Sequence, residues 1–289
     1  MALTINTNIS ALVAQGNLTK ATNNLNQAIE RMTTGYKINH AGDNAAGFSI
    51  ARNWETQLGS LDVAADNAAT GADMLTTLED TYTLVTSHLQ RVRDLTEQAA
   101  NGTYGSQSLK AIQSEITARL EEIDRISANC EFNGLNMMDG SMKNDIALQV
   151  GLYGDADSRI TLKKELFLAS DVNTLFSKDI ATVAQDCSGI GADGKVKGGQ
   201  SGMLAEIDNV INNISSRVTT LGAAQNRIES ATESIAVQTE NITSSLSTLR
   251  DADIAEESSN FIQAQILQQA AATLLSTANQ TPSIALNLL

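Results

Sequence analysis

What this sequence has little of narrows its possibilities most. Proline occurs once in 289 residues, at Pro282. The residue that most strongly interrupts helices is therefore missing from positions 1 to 281, and long unbroken helices are permitted there. Aromatic residues make up only 3% of the chain. A large globular core draws its bulk from wide rings, so this chain is expected to pack thin elements closely, with alanine supplying much of its 42% apolar content. The two cysteines, Cys130 and Cys187, are too few for a disulfide scaffold, and a single long-range bond and two free thiols are both open.

Positive charge is also short. Lys and Arg number 19 against 33 Asp and Glu, a net charge of -14. That balance disfavours nucleic acid and anionic membrane as partners, since both need a positive footprint. No apolar run is long enough to insert across a bilayer, and with the first charge at Lys20 the start lacks the basic region of a cleaved signal peptide. Secretion by a route without a cleaved signal remains permitted. Catalytic and cofactor motifs are missing too. His40 and His88, the only histidines, do not begin an HExxH, no serine sits in GxSxG, and Cys130 has no basic neighbour to activate it. No catalytic, cofactor or metal site is expected. Asp251, Asp253, Glu256 and Glu257 after Arg250 read as a polar face, solvated or between subunits.

The last absence is positional: residues 1 to 19 and 258 to 289 carry no Lys, Arg, Asp or Glu. Two uncharged ends on an acidic chain suggest that they are buried together. The closing run FIQAQILQQAAATLLSTA has a helical pattern with Ile262, Ile266, Ala270 and Leu274 on one face.

Four stretches carry the alternating 3 and 4 spacing of a coiled-coil seam. They run through Leu18, Ala21, Leu25, Ala28 and Met32; through Leu75 to Val92, closed by Asn101-Gly102; through Leu109 to Ser127; and from about Met203 to about Asn279. The fourth, as one helix at ~1.5 Å per residue, would approach 115 Å, too long for a compact globule. The spacing predicts a mainly α, elongated rod of long coiled-coil-like helices with paired N- and C-termini. In DIALQVGLYGDADSRITLKKELF the period changes to 2, which predicts a β-hairpin near 145–163. The glycine-rich 186–202 lacks the GxxxxGK of a phosphate loop and reads as a turn at the tip of the rod.

Three blocks carry a resemblance. The opening MALTINTNISALVAQGNLTKATNNLNQAIERMTTGYKINHAGDNAAGFSIA, the internal QRVRDLTEQAANGTYGSQSLKAIQSEITARLEEIDRISANCEFNG, and the closing LGAAQNRIES, LRDADIAEESSNF and QILQQAAATLLSTANQTPSIALNLL together resemble bacterial flagellin, the subunit of the flagellar filament. The resemblance covers about 1–165 and 203–289. It implies an inner coiled-coil domain from 1–40 and 250–289, a rod domain from 41–185 and the return helix 203–249, and none of the outer variable domains of larger members. Subunit packing in the inner domain falls to Leu18, Leu25, Ile262, Ile266 and Leu274. The linker between inner and rod domains resembles the family's spoke at Asn39, Asp43 and Gly47, with Gly42 where a Lys and Asn44 where an Asp usually stand. Gln90, Arg91, Leu95 and Glu115 match a surface used for rod packing and recognised by vertebrate Toll-like receptor 5. Implied partners are further copies of the chain, the flagellar export apparatus and its chaperone, and hook-associated and cap proteins. The alternative is a hook-filament junction component or another secreted long-helix structural protein.

Overall fold

In a computed structural model, residues 8–191 and 193–286 are described. They form seven α-helices and two small antiparallel ladders. In chain order these are α1 (Ile9–Thr34), α2 (Ala45–Ala100), α3 (Ser106–Asn129), β1 (Glu131–Phe132), β2 (Leu135–Asn136), β3 (Ile146–Gln149), β4 (Arg159–Leu162), α4 (Val172–Phe176), α5 (Ile180–Ser188), α6 (Gln200–Arg250) and α7 (Ile254–Leu286). The 56-residue α2, rising about 1.5 Å per residue, is roughly 84 Å long. The chain divides into two compact units, 1–59 with 239–289 and 60–238.

In the second unit the coiled-coil spacing does its work. Leu75, Leu78, Tyr82, Val85, Leu89 and Val92 of α2, Ile116, Leu120 and Ile123 of α3, and Ile207, Ile214 and Leu221 of α6 are all buried in one cluster. A repeat of 3 and 4 keeps such residues on one stripe of each helix. Polar ties flank the stripe: Arg93 Nε donates to Asp208 Oδ1 at 2.6 Å, and Gln225 Nε2 to Glu79 Oε2 at 2.8 Å. The buried Tyr82 finds a partner for its hydroxyl in the Leu166 carbonyl, 3.0 Å away.

The expected hairpin is present, with Ile146 opposite Leu162 and Gln149 opposite Arg159. Its seat on α2 is tight: a Cβ at Gly71 would stand 2.4 Å from Leu148 Cδ1, so a larger residue there would force the Leu148 side chain to shift. Beside it Asn67 Nδ2 donates to the Gln149 carbonyl at 3.1 Å. A second, two-residue ladder joins β1 to β2 through Asn133 and Gly134, both at positive φ. This is the Asn-Gly pair of a tight hairpin turn, a signal that the reading of the sequence passed over.

Two expectations need correction. The fourth seam is two helices, because the chain leaves the helix after Arg250 and restarts at Ile254. The side chain of Asp253 accepts the N–H groups of Ala255 and Glu256 at 2.8 and 3.3 Å, capping a new helix. The region from 186 is also no bare tip. Its first residues end α5, where Cys187 is fully buried, and the glycine loop folds back through a bridge between Ile190 and Val196, with Lys197 N–H on the Gly189 carbonyl at 2.7 Å. Helices α4 and α5, absent from the expectation, put Val172, Phe176 and Val183 into the core. Lys178 between them reaches Asp186 at 3.2 Å and Glu206 of α6 at 2.9 Å.

Candidate assembly site

Helices α1 and α7 run antiparallel, as three ties show. Asn8 Nδ2 donates to the Ala278 carbonyl (2.7 Å), Gln268 Nε2 to Thr22 Oγ1 (3.1 Å), and Arg31 pairs with Glu257 (3.1 Å). The buried residues are Ala14, Ala21 and Ala28 on one helix and Glu257, Ala264 and Ala271 on the other, each seven residues from the next. A heptad of the smallest side chain lets two backbones approach closely. Leu18 and Leu25, between the alanines of α1, are half-buried on this seam.

On α7 the expected face is displaced. The half-buried Phe261, Gln268, Leu275 and Ala278 complete the seam, while Ile262, Ile266 and Leu274 turn outward, Ile266 being 60% exposed. A stripe of 4-residue steps through Ile262, Ile266, Ala270 and Leu274 looks attractive by hydropathy. The seam runs instead through Phe261, Ala264, Gln268, Ala271 and Leu275, because alanine and glutamine at 3 and 4 spacing fit a close partner better than isoleucine does. The outer face of α7 therefore shows Ile254, Ile262, Ile266, Leu267 and Leu274 to solvent, and α1 adds Ile9, Leu12, Val13 and Ile29.

Both helices break at one joint. Helix α1 stops at Gly35, whose φ of 75° closes a left-handed cap with its N–H on the Arg31 carbonyl at 2.9 Å. The next residues lie against the break between α6 and α7. Tyr36 bridges to Asp251, Lys37 N–H donates to the Arg250 carbonyl (2.7 Å), and Ala252 N–H to the Gly35 carbonyl (2.8 Å). The Arg250 guanidinium lies 4.0 Å from the centre of the Tyr36 ring and also pairs with Glu55.

The linker residues sit in this joint. Asp43 Oδ2 accepts the N–H groups of His40 (3.0 Å) and Asn39 (3.1 Å), and these bonds, the His40 one foremost, hold its carboxyl below the usual range. Asn44 caps α2 by accepting the Gly47 N–H at 2.9 Å, a task an Asp would do equally well. Gly47 sits in a crowded spot at ordinary φ: a Cβ there would meet Asn44 Nδ2 and Ile38 Cδ1, each at 2.9 Å, and those side chains would have to shift.

In the second unit, Gln90 and Arg91 are exposed on α2, and the Arg91 Nε and terminal nitrogen share Glu115 Oε1 of α3 at 3.0 and 2.9 Å. Leu95, expected as an apolar anchor on the same surface, is 1% exposed and belongs to the core. Its heptad position, three after Val92, was the signal that it faces inward. Among the described residues no three His, Cys, Asp or Glu side chains are grouped to hold a metal, and no helix is long and apolar enough to cross a membrane. Both thiols are free and buried, and burial pushes Cys187 up to about 11.

Comparison with known proteins bears on both ends of this architecture. Residues 5–143 match the bacterial flagellin N-terminal helical region, and 204–289 the bacterial flagellin C-terminal helical region. A flagellin of Bacillus subtilis is 34% identical over 99% of each chain, and one of Xenorhabdus nematophila 36% over 100% of each. A solved structure described as a flagellar hook-associated protein, from Vibrio parahaemolyticus, shares the fold at 12% identity, with a TM-score of 0.59 over 72% of this chain and 100% of that one. With both terminal helical regions matched in order and full-length relatives above 30% identity, the chain belongs to the bacterial flagellins, structural subunits of the flagellar filament.

Proposed function

We propose that the chain polymerises through the α1/α7 pair, whose outer face receives further copies. The observation that carries this is the run of exposed Ile262, Ile266, Leu267 and Leu274 on a helix segment without a single charge from Ser258 onward. So much exposed aliphatic surface is kept only where a partner covers it, and charge crowded between copies would be costly to bury. Leu18 and Leu25 serve the seam within one chain, and Ile262, Ile266 and Leu274 the contact between chains. The joint around Asn39, Asp43 and Gly47 sets how α1 leads into α2. Gln90, Arg91 and Glu115 offer an exposed polar surface for neighbouring rods and for Toll-like receptor 5, with Leu95 supporting it from beneath.

In this reading the chain is exported without a cleaved signal peptide through the flagellar export apparatus with its chaperone. It then acts outside the cell beside hook-associated and cap proteins, without a catalytic role. The decisive experiment is seeded polymerisation of purified protein viewed by negative stain. Long uniform filaments support the reading. Short, self-limiting assemblies favour the hook-filament junction alternative, which the likeness in fold to a hook-associated protein keeps in view.

A further inference from the structure

The sequence holds two Asn-Gly pairs, Asn101-Gly102 and Asn133-Gly134, and all four residues are exposed. An asparagine followed by glycine can close a ring on itself: the glycine nitrogen attacks the side-chain carbonyl carbon Cγ, and the amide nitrogen leaves as ammonia. Glycine permits this because no Cβ crowds the approach. The fold treats the two pairs very differently.

Asn133 is locked. It stands at φ 49° and Gly134 at φ 81°, in the two-residue turn between Phe132 and Leu135. In such a turn the asparagine ψ is small and positive, which holds the next nitrogen away from Cβ and so from Cγ. The turn is anchored from both sides. Met137 N–H donates to the Cys130 carbonyl at 2.9 Å, Ser127 Oγ to the Met138 carbonyl at 2.7 Å, and Met137 and Met138 are fully buried. Swinging ψ means breaking the ladder first.

Asn101 is poised. It follows the last residue of α2 and opens the connection 101–105 to α3. Its Oδ1 accepts the Thr103 N–H at 3.4 Å, and its carbonyl accepts the Tyr104 N–H at 3.3 Å. A side chain that reaches the N–H two residues on lies across the peptide between them. That brings Cγ near the Gly102 nitrogen, and the bond from Thr103 draws electrons from the carbonyl and makes Cγ the better electrophile. Gly102 has open space around it and no positive φ.

We propose that Asn101 is a site of spontaneous deamidation in the folded chain, and that the fold protects Asn133. The Gly102 nitrogen gives up its proton to water and bonds to Cγ, the Cγ–Nδ2 bond breaks, and ammonia departs with the proton it needs. Water then opens the ring at either carbonyl, leaving aspartate or isoaspartate. Aspartate adds negative charge at the C-terminal end of α2, where the helix dipole is already negative and Glu97 stands one turn back. Isoaspartate adds a backbone carbon to the short connection. The site needs no second copy of the chain, and the converted fraction reports how long a copy has existed.

The full chain, kept at mildly alkaline pH with and without denaturant, tests this when peptide mass mapping follows the gain of acid at both asparagines. In denaturant the two pairs should react alike. In the native chain Asn101 should keep that pace, and Asn133 should lag about tenfold or more, as a reaction that awaits local opening does. Gly102→Ala, whose Cβ has room, should leave circular dichroism melting unchanged and slow Asn101 about tenfold or more by crowding the nitrogen. Equal native rates at the two asparagines, or an Asn101 that the fold slows as much as Asn133, overturns the assignment. An unslowed Asn101 in Gly102→Ala overturns ring closure through that nitrogen.

Discussion

The Cys187 thiol sits where α5 ends, fully buried, and its ionisation is pushed from 9.0 to about 11 by that burial. The sign of the consequence follows. Below about pH 9 the thiol is neutral whether the chain is folded or not and stability is unaffected; between 9 and 11 the unfolded chain loses the proton first, and stability falls as pH rises. Neither Cys130 nor Cys187 should react with a thiol reagent at pH 8 until denaturant is added, when both should; rapid modification of the native chain would place at least one of them at the surface. Glu257 presents a different balance. It is 7% exposed and satisfies Arg31, whose Nε already lacks a partner. Glu257→Gln should weaken the α1/α7 pair by about 1 to 3 kcal/mol, read as faster hydrogen exchange in both helices with unit 60–238 unchanged.

At the scale of elements, α7 has two apolar faces with two fates, and one substitution on each separates them. Ala264→Leu forces a larger side chain into the alanine seam and should cost roughly 1 to 3 kcal/mol within the single chain. Ile266→Asp meets only water in the single chain, so its circular dichroism should match the unsubstituted protein. Once copies pack, the same aspartate is buried unpaired, at a cost of several kcal/mol per copy, and sedimentation should find no filaments. Normal filaments from Ile266→Asp would remove the outer face of α7 from assembly. The sequence was legible where periodicity reports burial within one helix, as for Leu75 to Val92 or Leu109 to Ser127, and where alternation marks a strand, as at Ile146 to Val150. It misled where alanine beat isoleucine for the inner seam, because hydropathy ranks residues by size and not by fit. The break at 251–253 was hidden too, since an aspartate cap can restart a helix without any glycine or proline.

Over the whole molecule, the two units are stabilised very differently. Unit 60–238 holds nearly all the large buried side chains, whereas the α1/α7 pair rests on five buried alanines and a few polar ties. Burial of a methyl contributes little beside that of a leucine, so local opening should concentrate in α1 and α7. Trypsin has no site before Lys20 or after Arg250, so the appropriate probe is a protease of broad specificity. Brief digestion of monomer should trim α1 and α7 and leave a resistant core within 60–238, and assembly should slow that trimming. Equal resistance of the ends and the core in free monomer would contradict this ordering.

The pairing of α1 with α7 also fixes when the fold can be finished. Its ties join residues 226 to 270 positions apart, from Arg31 with Glu257 to Asn8 with Ala278. A ribosome adding about 5 to 20 residues per second emits α1 first and its partner last, so α1 waits some tens of seconds for the helix that completes it. Through that interval the nascent chain can fold its middle but not close its ends. Any factor that must catch the protein unclosed has the duration of its synthesis in which to do so.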